Sequence, residues 1–308
     1  SVRVYDTFMG AATQGCNIGL YSRHWSEDLL RKIVTAAWEC GDPGLFFDGT
    51  INTWHTTPSR GSIVSANPCL EVLQAPNTAC NLASLNLLKF LKDDDSFDIP
   101  AFTHTVDIMI TAMDIMIDRS SYPTKTIEQN SHDYRPLGLG YANLGALLMA
   151  KGLPYDSDAG RTLAASITAL MTGQAYSQSA RLAEVRGSFS GFTMNQDDMY
   201  TVIEKHGVTC EKLHGDTTLF HKADETWASA RWLGREFGFR NCQVSVLAPC
   251  GTISFMMDCD TTGIEPCLGL VTTKKLVGGG ELTMVNGVVG RALRSMGYTP
   301  EEIALQER

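Results

Sequence analysis

Clustered basic charge is the first thing these 308 residues lack: 25 Lys and Arg stand against 34 Asp and Glu, giving a net charge of -9. A broad duplex-binding surface is therefore excluded, because phosphate neutralisation needs dense Lys and Arg, so no nucleic-acid partner is expected; a local anion site remains compatible. Long apolar runs are missing too. The richest, "VDIMITAMDIMID", is cut by Asp107, Asp114 and Asp118, and none approaches the roughly 20 residues that span a bilayer. No secretory leader is expected. CxxC is absent, and the nine cysteines are an odd number scattered along the chain, which argues against a secreted disulfide framework and a structural zinc site. These absences point to a cytoplasmic protein with no membrane partner, no protein-bound metal and mostly reduced core thiols. Repeats and low-complexity linkers are also absent, so residues 1–308 read as a single domain. The numbering opens at Ser1 without Met, in the strand-like "SVRVYDTFMG", and stops inside the helix-like "EEIALQER". Both ends read as those of a piece of something longer.

What is present is ordinary globular material, with 44% hydrophobic and 19% charged residues, enough to build a large core. Residues 26–40, "SEDLLRKIVTAAWEC", predict an amphipathic helix capped by Ser26, with Leu29, Ile33, Ala37, Leu30, Val34 and Trp38 in one stripe and a stop at Gly41-Asp42-Pro43-Gly44. Further helices are predicted over about 101–118, in "ANLGALLMAK", from Ser157 or Asp158 to about Val185, and around "DETWASARWLGREFG". Strand-like runs lie between them in "GSIVSA", "NCQVSVLAP" and "LGLVTTKKL". Alternating helices and short apolar strands predict an α/β fold with a largely parallel sheet, open or closed.

Three stretches bear on chemistry. "RPLGLGYANLG" brushes against a dinucleotide fingerprint, but its next glycine is Gly145 and no clear strand precedes it, so it reads as a tight turn leading into a helix. Pro249, Cys250, Gly251, Thr252, Ile253 and Ser254 follow an apolar run and offer a glycine, hydroxyls and free backbone N–H groups, which suits either a simple loop or a phosphate cradle. "TTGIEP" follows, with Glu265 either structural or lining a polar site. The third is "SANPCLEVLQAPNTACNLAS", with Asn67, Cys69 and Glu71 at alternate positions and Cys80 eleven residues after Cys69. In an extended segment those three side chains would share one face, so amide, sulfur and carboxylate could meet one ligand, although from the residues alone a strand edge with a buried thiol is the more ordinary reading. Pro68 favours a loop or sheet edge. A nearby carboxylate disfavours a thiolate, and none of the seven histidines lies within ten residues of Cys69. The sulfur therefore suits hydrogen-atom transfer better than ionic attack, with Glu71 handling protons.

"NPCLEV" followed by "TACNLASLNLLKF" resembles the active-site finger loop of ribonucleotide reductase large chains. "GDPGLFFDGTINTWHTTP", "RPLGLGYANLGALL", "APCGTIS" and "DCDTTGIEP" resemble further segments of that family in the same order, so the likeness runs from about Ser1 to Arg308. "TINTWHTTP" and "DCDTTGIEP" are most similar to the adenosylcobalamin-dependent class. The resemblance implies a ten-stranded α/β barrel of two five-stranded parallel halves with the radical cysteine on an internal loop, and residues 1–308 as a catalytic barrel fragment.

It also implies roles. Cys69 would become a thiyl radical and remove the 3′-hydrogen of the ribose, Glu71 would take the 3′-hydroxyl proton, and Asn67 would hold the sugar hydroxyls. Cys80 would be one member of a redox pair whose other member lies upstream in the family. Residues 249–254 would be the substrate phosphate loop, with Cys250 where many relatives carry Thr or Ser; because a thiol is a weak donor, the backbone contacts matter more there. The implied partners are a ribonucleotide, the missing N-terminal portion of the same enzyme and a thioredoxin-like reductant. The upstream specificity loops and the C-terminal cysteines of the family are missing, so the isolated chain is expected to be inactive and to be the downstream product of a split or intein-interrupted gene. Two other readings stand beside this one: the large subunit of an iron-dependent reductase, and a non-catalytic nucleotide-binding remnant. Asn67, Cys69, Glu71 and Cys80 together favour catalysis over the remnant.

Overall fold

The computed structural model describes residues 1–213, 217–275 and 277–306. The chain opens with a short strand, β1 (Val2–Val4), that pairs in parallel with β2 (Leu45–Phe47) across helices α1 (Asp6–Gln14) and α2 (Arg23–Cys40). Helix α2 begins earlier than its pattern suggests: Ser22 holds the N-cap position and Ser26 lies buried inside the helix. Its C-terminus is as expected, with Gly41 left-handed at φ 79° and its N–H donated to the Ala37 carbonyl. Only part of the predicted stripe is covered, since Ile33 is buried while Val34 and Trp38 are exposed.

After α3 (Asp48–Thr53) the predicted strand "GSIVSA" does not form. The Asn52 side chain takes the place of a partner strand, accepting from the Ile63 N–H at 2.9 Å and donating to the Ile63 carbonyl at 3.1 Å.

The main body is built on β3 (Asn81–Asn86), α4 (Ile99–Arg119), α5 (Lys125–Tyr134) and β4 (Leu137–Ala142). Strands β3 and β4 pair in parallel with Ser84 opposite Gly140. Residues 243–246, from the predicted "NCQVSVLAP", run parallel along the other edge of β4; Leu137 donates to the Gln243 carbonyl at 2.8 Å and Val246 to the Leu139 carbonyl at 3.0 Å. Gly138 and Gly140 therefore lie within a strand rather than in a turn. A Cβ on Gly140 would collide with the Val246 carbonyl, so glycine is what lets the third segment approach.

Helix α6 (Leu144–Ala150) follows, then α7 (Asp158–Arg186), α8 (Phe192–Cys210) and α9 (Thr217–Phe237). Small residues let α7 and α9 pack closely: Gly173 faces Thr226, and the Ser177 hydroxyl donates to the Thr226 carbonyl at 2.8 Å. Helix α4 lays Phe102, Val106, Ile110, Met113 and Ile117 on the same core as Leu137, Leu139 and Tyr141.

The acids that interrupt the apolar run of α4 have partners. Arg135, itself buried, bonds Asp114 at 2.8 Å and Asp118 at 2.7 Å, while Gln174 donates to Asp107 at 2.6 Å.

The chain continues through α10 (Gly251–Met256), β5 (Val271–Lys275), β6 (Glu281–Val285), α11 (Val289–Ser295) and α12 (Pro300–Gln306). Strand β5, from the predicted "LGLVTTKKL", pairs antiparallel with β6 rather than joining the parallel strands; Leu276 lies outside the described residues, as do the last two of "EEIALQER". Gly278, Gly279 and Gly280 all have positive φ and make this hairpin turn. The described residues form an α/β fold with a parallel core and do not themselves close a barrel.

Candidate active site

The segment 66–73 is a loop, as Pro68 suggests, but it is not extended. Ala66 and Leu73 form an isolated antiparallel bridge, and between them the Leu70 N–H donates to the Asn67 carbonyl at 3.1 Å with Leu70 at φ 67°. The Asn67 Oδ1 closes the loop by accepting from the Val72 N–H at 2.9 Å. A turn breaks strand alternation, so Asn67, Cys69 and Glu71 do not line up through the expected extended geometry and are held close together by the turn instead. Cys69 stands exposed near the tip, with no hydrogen bond among the described residues. Glu71 points inward, and its Oε2 is buried without a hydrogen-bond partner.

Glu71 lies within electrostatic reach of two other thiols. Burial pushes Cys80 up to about 12, and the Glu71 charge adds to the rise. Burial raises Cys250 as well, with Glu71 acting in the same direction and the Ser84 hydroxyl against it. Both thiols are thus held protonated at neutral pH. The structure brings together Glu71, Cys80 and the start of the 249–254 loop, three features far apart in sequence.

Strand β3 and its flank organise that meeting. Cys80, Leu82, Ser84 and Asn86 alternate onto one side, where the Ser84 hydroxyl lies 2.8 Å from the Cys250 sulfur. Gly138 and Gly140 of β4 face the same side and let Leu82, Val246 and Cys80 pack close; a Cβ on Gly138 would stand 3.0 Å from the Cys80 sulfur. Cys250 is buried and left-handed at φ 51°, immediately before α10. No side chain caps that helix, and a Cβ on Gly251 would meet nothing within 4 Å, so there is open space beside the start of the helix, where the first amides lack intrahelical partners. Thr252 and Ile253 are exposed and Ser254 is buried.

Sequence reasoning missed Ser84, Asn86, Asn143 and Thr261, which tie this region together. Their signal was the polar alternation of residues 82–86 next to Cys80 and an Asn, a residue type that accepts left-handed backbone, directly after "LGLGYA". Glu265 accepts from the Thr262 hydroxyl at 2.9 Å on the exposed side of the same region. Among the described residues no group of three or more His, Cys, Asp or Glu could hold a metal ion, and no helix is long and apolar enough to cross a membrane.

The family described as "Ribonucleotide reductase, barrel domain" matches residues 2–307. The chain is 50% identical to the "Vitamin B12-dependent ribonucleotide reductase" of Streptomyces avermitilis, over 98% of its own length and 33% of the relative's. It is 45% identical to the protein of the same name from Rhodopirellula baltica, over 98% of this chain and 30% of that one. A Mycobacterium tuberculosis "Vitamin B12-dependent ribonucleoside-diphosphate reductase" is 33% identical, over 98% of this chain and 39% of the relative. The chain spans about a third of the length of these curated relatives. By the family match across nearly all of its residues and by these identities, the chain belongs to the ribonucleotide reductase family.

Proposed function

We propose that residues 1–308 act as one catalytic barrel unit of a cytoplasmic, cobalamin-dependent ribonucleotide reductase, completed to a ten-stranded barrel by the remainder of a longer protein. The observation that carries this reading is the buried, unpartnered Oε2 of Glu71, whose carboxylate lies within electrostatic reach of both Cys80 and Cys250 at the start of the 249–254 loop. An unpaired buried carboxylate oxygen is costly unless a ligand satisfies it. A ribose hydroxyl is such a ligand.

A ribonucleotide would lie with its phosphates on the amides of Gly251, Thr252 and Ile253 and its sugar toward Glu71. Asn67 uses its Oδ1 within the loop, leaving the amide N–H₂ to donate to a sugar hydroxyl. Glu71 accepts the 3′-hydroxyl proton while Cys69 takes the 3′-hydrogen atom. The 2′-hydroxyl leaves as water with a proton from a thiol pair, Cys69 gives the hydrogen atom back to C3′, and the two electrons and the hydrogen that replaces the hydroxyl come from those two thiols as they join in a disulfide. Cys80 supplies one and the remainder of the protein the other, and a thioredoxin-like reductant restores the pair. The protonated state of Cys80 suits a donor of hydrogen. The names of the relatives favour cobalamin over an iron-dependent partner subunit; adenosylcobalamin, when bound, supplies the radical that oxidises Cys69. The exposed position of Cys69 fits approach by so large a group.

The test is Cys69→Ser in the complete reductase. Turnover is expected to vanish while ribonucleotide binding stays within about twofold of wild type, since serine is close to cysteine in size and Cys69 is an exposed, free thiol. Retained turnover would overturn the assignment.

A further inference from the structure

The loop that would hold the phosphates is fastened at both ends to one strand. At its start, Cys250 meets Ser84 of β3. At the far end of α10, the Asn86 Nδ2 donates to the Met257 carbonyl at 3.0 Å. Ser84 and Asn86 are alternate residues on the side of β3 that also carries Cys80. Asn86 is held in turn: its Oδ1 accepts from the Asn143 Nδ2 at 3.0 Å, and the Asn143 Oδ1 accepts from the Thr261 N–H at 3.0 Å. Asn143 is wholly buried and left-handed at φ 71°, and Thr261 is closed off by donation from the Ala146 N–H to its hydroxyl at 3.1 Å. Cys250, Asn86, Asn143 and Thr261 are each more than nine-tenths buried.

We infer that Asn86 and Asn143 are positioning residues that set the phosphate loop at a fixed distance from Cys80 and Glu71. Generic packing of α10 would need only apolar contacts, whereas here a relay of directional bonds joins the ends of both strands to the C-terminal end of the helix. The relay makes β3 a common rail: one end presents the reducing thiol, the other locks the element whose first turn faces the phosphates. Buried amide networks of this kind fix geometry because every alternative leaves polar groups unpaired. The inference rests on the phosphate-loop reading above.

The experiment uses the complete reductase and three variants. Asn86→Asp keeps size and the Oδ1 acceptor but loses the donor to Met257; Asn143→Gly tolerates the positive φ while removing the amide; Thr252→Pro deletes a loop N–H directly. For Asn86→Asp and Asn143→Gly the expected result is a KM for ribonucleotide raised about tenfold, as for loss of one charge-assisted hydrogen bond, with kcat within about twofold. Equilibrium binding should weaken for the ribonucleotide but not for the corresponding nucleoside, which has no phosphate to misplace. A merely structural role predicts the opposite split, with a smaller active fraction and an unchanged KM, and that result overturns the inference. If Thr252→Pro weakens ribonucleotide binding while both Asn variants bind normally, the positioning role alone falls. If Thr252→Pro has no effect on ribonucleotide binding, the phosphate-loop reading falls and the inference falls with it.

Discussion

At the scale of single residues, the state of Cys80 follows from two causes that can be separated. Burial ranks above the Glu71 charge in raising its thiol to about 12. Glu71→Gln should therefore lower the Cys80 pKa yet leave it above the ordinary 9.0, as read from the pH dependence of alkylation at that cysteine by mass spectrometry. Titration of wild-type Cys80 near its ordinary value would contradict the arrangement of Glu71 and Cys80. His206 gives a second residue-scale prediction. It lies between Trp54, with ring centroids at 4.8 Å, and Trp227, stacked at 5.2 Å, and burial lowers it to about 4. Because its folded pKa lies below the unfolded 6.5, the unfolded state binds the proton more readily, so stability present above 6.5 is lost as pH falls toward 4. His206→Phe should flatten that loss in denaturant titrations between pH 7 and 5; an unchanged slope would assign the loss to other groups.

At the scale of elements, β4 depends on its two glycines. Gly140→Ala would set a methyl group against the Val246 carbonyl and should cost about 2–3 kcal/mol in urea unfolding, as overpacked cores do. A cost below about 0.5 kcal/mol, the range of ordinary surface changes, would show that the third segment can move aside. Helices were legible at this scale because their periodicity and stops are local: the predicted 101–118 became Ile99–Arg119, and Ser157 to about Val185 became Asp158–Arg186. Strands were harder. "GSIVSA" has the composition of a strand, but Asn52 supplies its partners, and "LGLVTTKKL" pairs with a later segment that its own residues do not reveal. The buried stripe of α2 was only half right, because periodicity marks which face is apolar and not what covers it.

At the scale of the whole molecule, the candidate residues were legible but their grouping was not. Cys69, Glu71, Cys80 and the 249–254 loop could be picked out by residue type and by family likeness. Alternation predicted a shared face for Asn67, Cys69 and Glu71, whereas the turn at Leu70 sends Glu71 inward toward Cys80 and Cys250 and leaves Cys69 exposed. That rearrangement depends on β3 and the segment 243–246, which leads into the 249–254 loop, being neighbours of the same β4 strand, a long-range fact no local pattern carries. The most direct measurement is a crystal structure of the complete reductase with a ribonucleotide bound. The account predicts phosphate oxygens within hydrogen-bond distance of the Gly251–Ile253 amides and a sugar hydroxyl on Glu71 Oε2; a nucleotide seated elsewhere, with Glu71 still unpartnered, would contradict it.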